Sequence, residues 1–256
     1  LNNSGTGSFR EACEASGPRI VVFDVSGTVN LTDTLTIENS FITIAGQTAP
    51  GQGICISTHK EIAFIGSQNI IIRYLRMRST GNTPDHDTLD FAWRNSHIIV
   101  DHCSLSWGTD EIIAAVQDAD YVTFQNCIFA ENTNPGYKAS RFDAMHLTLY
   151  RNLYAQCAER NPRITPASAT SYIEFINNVV YNWDGHDDPI LDGSALYISA
   201  SYIDVINNYF KPGPDTLPLP TDDVMVEITH DRSGTGERLY CVGNVGPRNV
   251  TGDNWN

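Results

Sequence analysis

Four stretches decide the fold: VTFQNCIFA (Val122–Ala130), LTLYRNLYA (Leu147–Ala155), IEFINNVVY (Ile173–Tyr181) and IDVINNYFK (Ile203–Lys211). Each begins with apolar residues in alternation, the pattern of a strand with one buried face. Each has Cys or Asn in its sixth place: Cys127, Asn152, Asn178 and Asn208. The pattern extends both ways. IIVDHCSLS places Cys103 there and LYCVGNVGP places Asn244, while IIIRYLRMR and ITIAGQ place Leu75 and Gln47. From Cys103 to Asn244 the intervals are 24, 25, 26, 30 and 36 residues. One strong strand per repeat of this size indicates a β-solenoid, whose coils hydrogen-bond to one another and stack equivalent residues about 4.8 Å apart. Stacked Asn amides can bond both up and down the column. A β-sandwich also has many short strands but no reason to keep Asn in register. The fold class is therefore all-β, a parallel β-helix.

The ends read differently. SFREACEASG (Ser8–Gly17) has Ser8 and Glu11 in capping-box spacing and a closing glycine, which predicts a short helix within a cap over residues 1–18. Such a helix covers the open edge of the first coil. The other end has no comparable cap, so we expect it to be shortened or closed by loops. The 256 residues suffice for one core, and a single domain is expected.

The chain carries 16 Lys+Arg against 30 Asp+Glu, a net charge of −14. A nucleic-acid partner is excluded, since it needs a basic face. No run approaches the apolar length of a membrane span. An anionic substrate remains open if local cations or a metal receive it. The six cysteines form no C-x-x-C pair, which argues against a zinc knuckle or redox motif, and their even number permits disulfides. The start at Leu1 reads as a mature or trimmed product, and a secreted monomer is expected.

Measured back from the sixth place of its coil, Asp85 lies at 85 − 103 = −18, Asp87 at −16, Asp110 at 110 − 127 = −17 and Glu111 at −16. Lys138 lies at 138 − 152 = −14, Arg160 at 160 − 178 = −18, Arg163 at −15 and Asp192 at 192 − 208 = −16. The same turn thus carries acids, acids, Lys138, two arginines and an acid in five consecutive coils. Like charges one strand apart are costly unless a cation joins them, and hard oxygen ligands suit calcium. The bland alternative is a solvated acidic edge with surface ion pairs. A metal pocket beside a cationic pocket is what a polyuronate needs, because arginines take carboxylates by forked hydrogen bonds.

The run IIRYLRMRSTGNTPDHDTLDFAWRNSHIIVDHCSLSWGTDE, followed by AERNPRI, resembles the pectate lyase family, as do the openings SGTGSFREACEASGPRIVVFDVSGTV and ITIAGQTAPGQGI. The resemblance spans about residues 5 to 183. It implies a right-handed parallel β-helix and calcium-dependent β-elimination of polygalacturonate, giving unsaturated oligogalacturonides. It implies Asp85, Asp87, Asp110 and Glu111 as Ca²⁺ ligands, Arg160 as the base at sugar C5, and Lys138 as a substrate-binding residue, with Arg163 beside it. Many members carry a further arginine where this chain has Thr165, a charge that Arg163 could supply. The segment NPGYKASRFDAMH also departs from relatives that share WGTDE. A guanidinium is an awkward base because it is almost always protonated. Neighbouring positive charge disfavours its charged form, and an alkaline optimum is expected.

Rival readings are a lyase on another polyuronate, a β-helix glycoside hydrolase working through paired carboxylates, and a non-catalytic polysaccharide-binding solenoid. His102 reads as structural, and Cys103 and Cys127 as a buried ladder more than a disulfide. Trp93, Trp107 and Trp183 read equally as sugar platforms or packing. DGHDD (184–188) reads as a solvated loop more than a second metal site.

Overall fold

A computed structural model describes residues 1–81, 85–133, 138–166, 170–183, 195–216, 226–229 and 238–246. Asp192 and DGHDD lie outside the described residues. The chain forms a right-handed parallel β-helix. Among the described residues its three parallel sheets have nine, eight and eight strands, and each coil adds one strand to each sheet in turn. The quoted stretches supply the first sheet through Asp120–Gln125, His146–Tyr150, Tyr172–Ile176 and Tyr202–Ile206. They supply the second through Ile128–Ala130, Leu153–Ala155, Val179–Tyr181 and Tyr209–Lys211.

The alternation works as read. Phe124, Leu149, Phe175 and Val205 are register partners on successive coils, and all four are buried. Inside, the rings of Phe64, Phe91, Phe124 and Phe142 run as a chain with centroids 5.0, 6.1 and 5.1 Å apart. Trp183 is fully buried, while Trp93 and Trp107 are exposed.

The asparagine column occupies the corner between the first two sheets. The Oδ1 of Asn152, Asn178, Asn208 and Asn244 each accepts the backbone N–H of the sixth-place residue one coil back, at 2.8–2.9 Å. Each Nδ2 donates to a carbonyl on the preceding coil, those of Phe124, Leu149, Phe175 and Val205, at 2.7–2.8 Å. The residue just before the column makes the corner in the left-handed region: His102, Asn126, Arg151, Asn177 and Asn207 all have φ between 53° and 56°. Asn tolerates this conformation because its short polar side chain bonds locally. His102 has a structural partner there, its Nδ1 lying 2.7 Å from Asp101 Oδ1.

All six cysteines are free, and Cys103 and Cys127 are both buried at this corner. The N-terminal helix spans Phe9–Glu14, with Ser8 Oγ accepting from Glu11 N–H at 3.2 Å. It buries Phe9 and Cys13, and Phe9 stacks on Phe23 at 5.8 Å. No helix among the described residues is long and apolar enough to cross a membrane.

Candidate active site

The third sheet contains the strands Ile62–Ile65, Leu89–Ala92, Glu111–Ala115, Lys138–Phe142, Arg163–Ile164 and Leu196–Ser199. Their in-facing residues, Leu89, Ile113, Phe142 and Ile164, are fully buried and pin the strands to the core. The register that follows sets the site. Ile113 pairs with Leu89, which brings Glu111 level with Asp87, and Glu111 pairs directly with Lys138. Lys138 in turn bridges to Glu159.

Asp87, Asp110 and Glu111 bring one carboxylate oxygen each to within 4.8 Å of one another. The Glu111 backbone N–H donates to Asp87 Oδ1 at 2.8 Å, which fixes that carboxyl at the strand start. Asp85 is described but stands outside this group of three, at a left-handed backbone position of φ 66°. Two cations close on the acids. Lys138 Nζ lies 2.5 Å from Asp110 Oδ1, and the Arg160 guanidinium donates to Glu111 Oε1. Arg160 is delivered by its backbone: Ser140 N–H donates to the Arg160 carbonyl at 2.8 Å and Ala139 N–H to the Glu159 carbonyl at 2.9 Å. The bond from Asn161 to Pro162 that follows is cis.

Burial, and then the negative charges of Glu111 and Asp90, push the Asp87 carboxyl well above the ordinary carboxylate range. Burial also raises Glu111, although Arg160 opposes it. Asp110 goes the other way: burial would raise it, but the hydrogen bond and charge of Lys138 outweigh burial and hold it below its ordinary value. Two adjacent acids whose charged forms are disfavoured, in a three-carboxylate group of hard oxygens, fit a calcium ion.

Arg163 does not lie in the Asp87–Glu111–Lys138 column, as the offset reading expected. It is three residues further along, where it pairs with Arg141 and lies over the Tyr197 ring at 5.5 Å. Thr165 is close by, with its hydroxyl donating to Asp143 Oδ1 at 2.9 Å.

Four charged residues near the site escaped the sequence reading. Asp90 is pushed up to about 7 by burial and by the charges of Glu61 and Glu111, and its Oδ1 is buried without a hydrogen-bond partner. Glu159 is 5% exposed, with an equally unpartnered Oε1. Glu61 lies 3.6 Å from His86 Nδ1. Arg141 sits at 141 − 152 = −11 while its partner Arg163 sits at −15, so counting from the Asn column separates residues that the sheet places side by side. The signal that could have found Arg141 was the matched pair of dipeptides, Arg141-Phe142 and Arg163-Ile164, a cation followed by an in-facing apolar residue.

No family model matches the sequence. Among curated proteins the chain is 40% identical over 219 residues to a probable pectate lyase C of Aspergillus fumigatus, an alignment covering 84% of this chain and 49% of that protein. The Emericella nidulans protein of the same name is 36% identical over 219 residues, covering 84% and 48%. A probable pectate lyase 20 of Arabidopsis thaliana is 28% identical over 208 residues, covering 71% and 47%. The chain thus spans about half the length of the curated relatives it matches. Among solved structures, one from a study of pectate lyase substrate specificity and anti β-elimination superposes with a TM-score of 0.51 at 16% identity, covering 83% of this chain and 58% of the other; it supports the fold alone. Over the coils that carry these acids and arginines, the chain is a homologue of the curated pectate lyases.

Proposed function

We propose that this chain is the single-domain, monomeric catalytic solenoid of an extracellular, calcium-dependent pectate lyase that cleaves polygalacturonate by β-elimination. The observation that carries the reading is the junction of two kinds of site: three converging carboxylates, with Lys138 on one and Arg160 on another. Asp87, Asp110 and Glu111, with Asp85 at the edge, would hold the calcium ion. When bound, the ion would neutralise the uronate carboxylate and so acidify the hydrogen on the adjacent C5.

The chain's own residues do the rest. Lys138 and Arg163 bind and orient uronate carboxylates. Arg160, turned from Glu111 to the sugar and having given one proton to water, takes the C5 proton as the neutral guanidine and so regains its charge. The electron pair of the C5–H bond becomes the C4=C5 double bond, the bond from C4 to the glycosidic oxygen breaks, and that oxygen leaves with a proton from water.

A glycoside hydrolase is supported less well. Hydrolysis needs two carboxylates set apart about the scissile bond, one of them free to give a proton. Here Asp110 is ion-paired with Lys138 and Glu111 with Arg160, and the remaining acid, Asp87, brings its oxygen within 4.8 Å of theirs, so the three converge on one point and are not set apart about a bond. The mass of the products tests the reading. Incubation with polygalacturonate and calcium should give oligomers one water lighter than hydrolysis products. Saturated products would establish the hydrolase reading, and an unchanged polymer would favour a different polyuronate or a binding solenoid.

A further inference from the structure

We propose that Glu159 is a positioning residue: it receives the Lys138 ammonium when Asp110 and Glu111 hold a metal ion, so that the acids are released without stranding a half-buried cation. The proposal rests on the calcium reading above and deepens it.

Lys138 stands between two acids. Glu111, Lys138 and Glu159 are partners on successive coils, where neighbouring strands set their Cα atoms about 4.8 Å apart. Among the described residues Lys138 is ion-paired on one flank, its Nζ lying 2.5 Å from Asp110 Oδ1. On the other flank Glu159 is buried, and its Oε1 has no hydrogen-bond partner. A buried carboxylate oxygen without a partner is costly, and a cation that reaches it removes the cost. Burial pushes the Glu159 carboxyl up, and the charges of Arg160 and then Lys138 oppose that rise. Glu159 thus already lies in the field of both cations that pair with the acids of the metal site.

The backbone around Lys138 is tied on both flanks. Asn132 Nδ2 donates to the carbonyls of Lys138 and Asp110, at 2.5 and 2.6 Å, and the Ala139 N–H donates to the Glu159 carbonyl at 2.9 Å. A change of partner therefore needs rotation of the flexible lysine stem and no shift of the strands. The change is required by charge. A metal ion and an ammonium on the same Asp110 carboxylate repel one another. Lys138 must then give up Asp110, and with its side chain 23% exposed it has little water to turn to. Glu159 offers a carboxylate oxygen that no other group holds. It also keeps Lys138 at the site, with ammonium donors left over for a uronate carboxylate.

The test is calorimetric titration with calcium of wild type, Glu159→Gln, Lys138→Met and the double variant. We expect Glu159→Gln to raise the calcium Kd about tenfold in the protein that keeps Lys138, the size of a hydrogen bond between charged groups. In the Lys138→Met background the same change should move Kd by no more than about twofold, because no ammonium is there to be received. A factor of equal size in both backgrounds would overturn the proposal, since a bare negative charge near the metal, or a purely structural role, acts with or without Lys138. An unchanged Kd in the protein that keeps Lys138 would overturn it too. Glu159→Asp, which keeps the charge and shortens its reach, should show the same dependence on Lys138 and serves if the glutamine variant does not fold. A wild type that binds no calcium would refute the metal-site reading and this proposal with it, whereas binding without coupling to Lys138 refutes the proposal alone.

Discussion

The Arg160 guanidinium reaches past the coil that carries Lys138 and pairs with Glu111, two coils away. Proposed base and proposed metal ligand thus share one contact. Glu111→Gln should weaken calcium binding by about tenfold or more, because ligand charge sets affinity at such sites. Calorimetric titration with calcium measures this, and an unchanged affinity would remove Glu111 from the ligand set.

Calcium should also stabilise the fold, since it binds the native acids and not their dispersed unfolded counterparts. At a free concentration one hundred times Kd the gain is about 2.7 kcal/mol. For a chain of this size that raises Tm on the order of 5 °C. Thermal melts with calcium and with chelator check it, and Asp87→Asn should largely remove the difference.

Asp90 gives the metal-free protein a pH dependence of definite sign. Its carboxyl is pushed from an ordinary value near 4 up to about 7 in the fold, so between those limits the native state binds more protons than the unfolded state. Its contribution is fully present below pH ~4 and is lost as pH rises through about 7. The contribution is of order a few kcal/mol. Melts of the metal-free protein at pH 5 and pH 8 should show lower stability at pH 8, with the difference reduced in Asp90→Asn. A difference of equal size in both proteins would locate the effect elsewhere.

Asn178→Ala should be among the most damaging single changes in the solenoid. Asn178 is 1% exposed, accepts the Asn152 N–H and donates to the Leu149 carbonyl. Alanine orphans both groups, each at about 1–3 kcal/mol. We expect a loss of roughly 3–4 kcal/mol on this basis, read by urea unfolding.

The Asn column was legible in the sequence because one corner of each coil has a fixed length, so side chains that stack in space recur at a countable place. The alternation feeding that corner, as at Phe124, Leu149 and Phe175, was legible for the same reason. The site was legible in part. Asp87, Asp110, Glu111, Lys138 and Arg160 came together because they begin their strands or stand just before them. The count put Arg163 on the turn of Lys138, whereas the sheet sets it three residues further along, beside Arg141, which was not seen. Coil length changes between the third sheet and the corner used as the ruler, so pairing across that sheet cannot be counted from the corner. Asp90 and Glu159 were invisible for another reason: burial makes them unusual, and burial depends on which coils flank them.

The most direct test of the central claim is ultraviolet absorbance during incubation with polygalacturonate at alkaline pH, with calcium and then with chelator, for wild type and Arg160→Ala. The account predicts a rise from the unsaturated product that needs calcium and falls by about 10²–10⁴ in rate in the variant, the contribution of a general base. A rise of equal rate in chelator, or in Arg160→Ala, would contradict it.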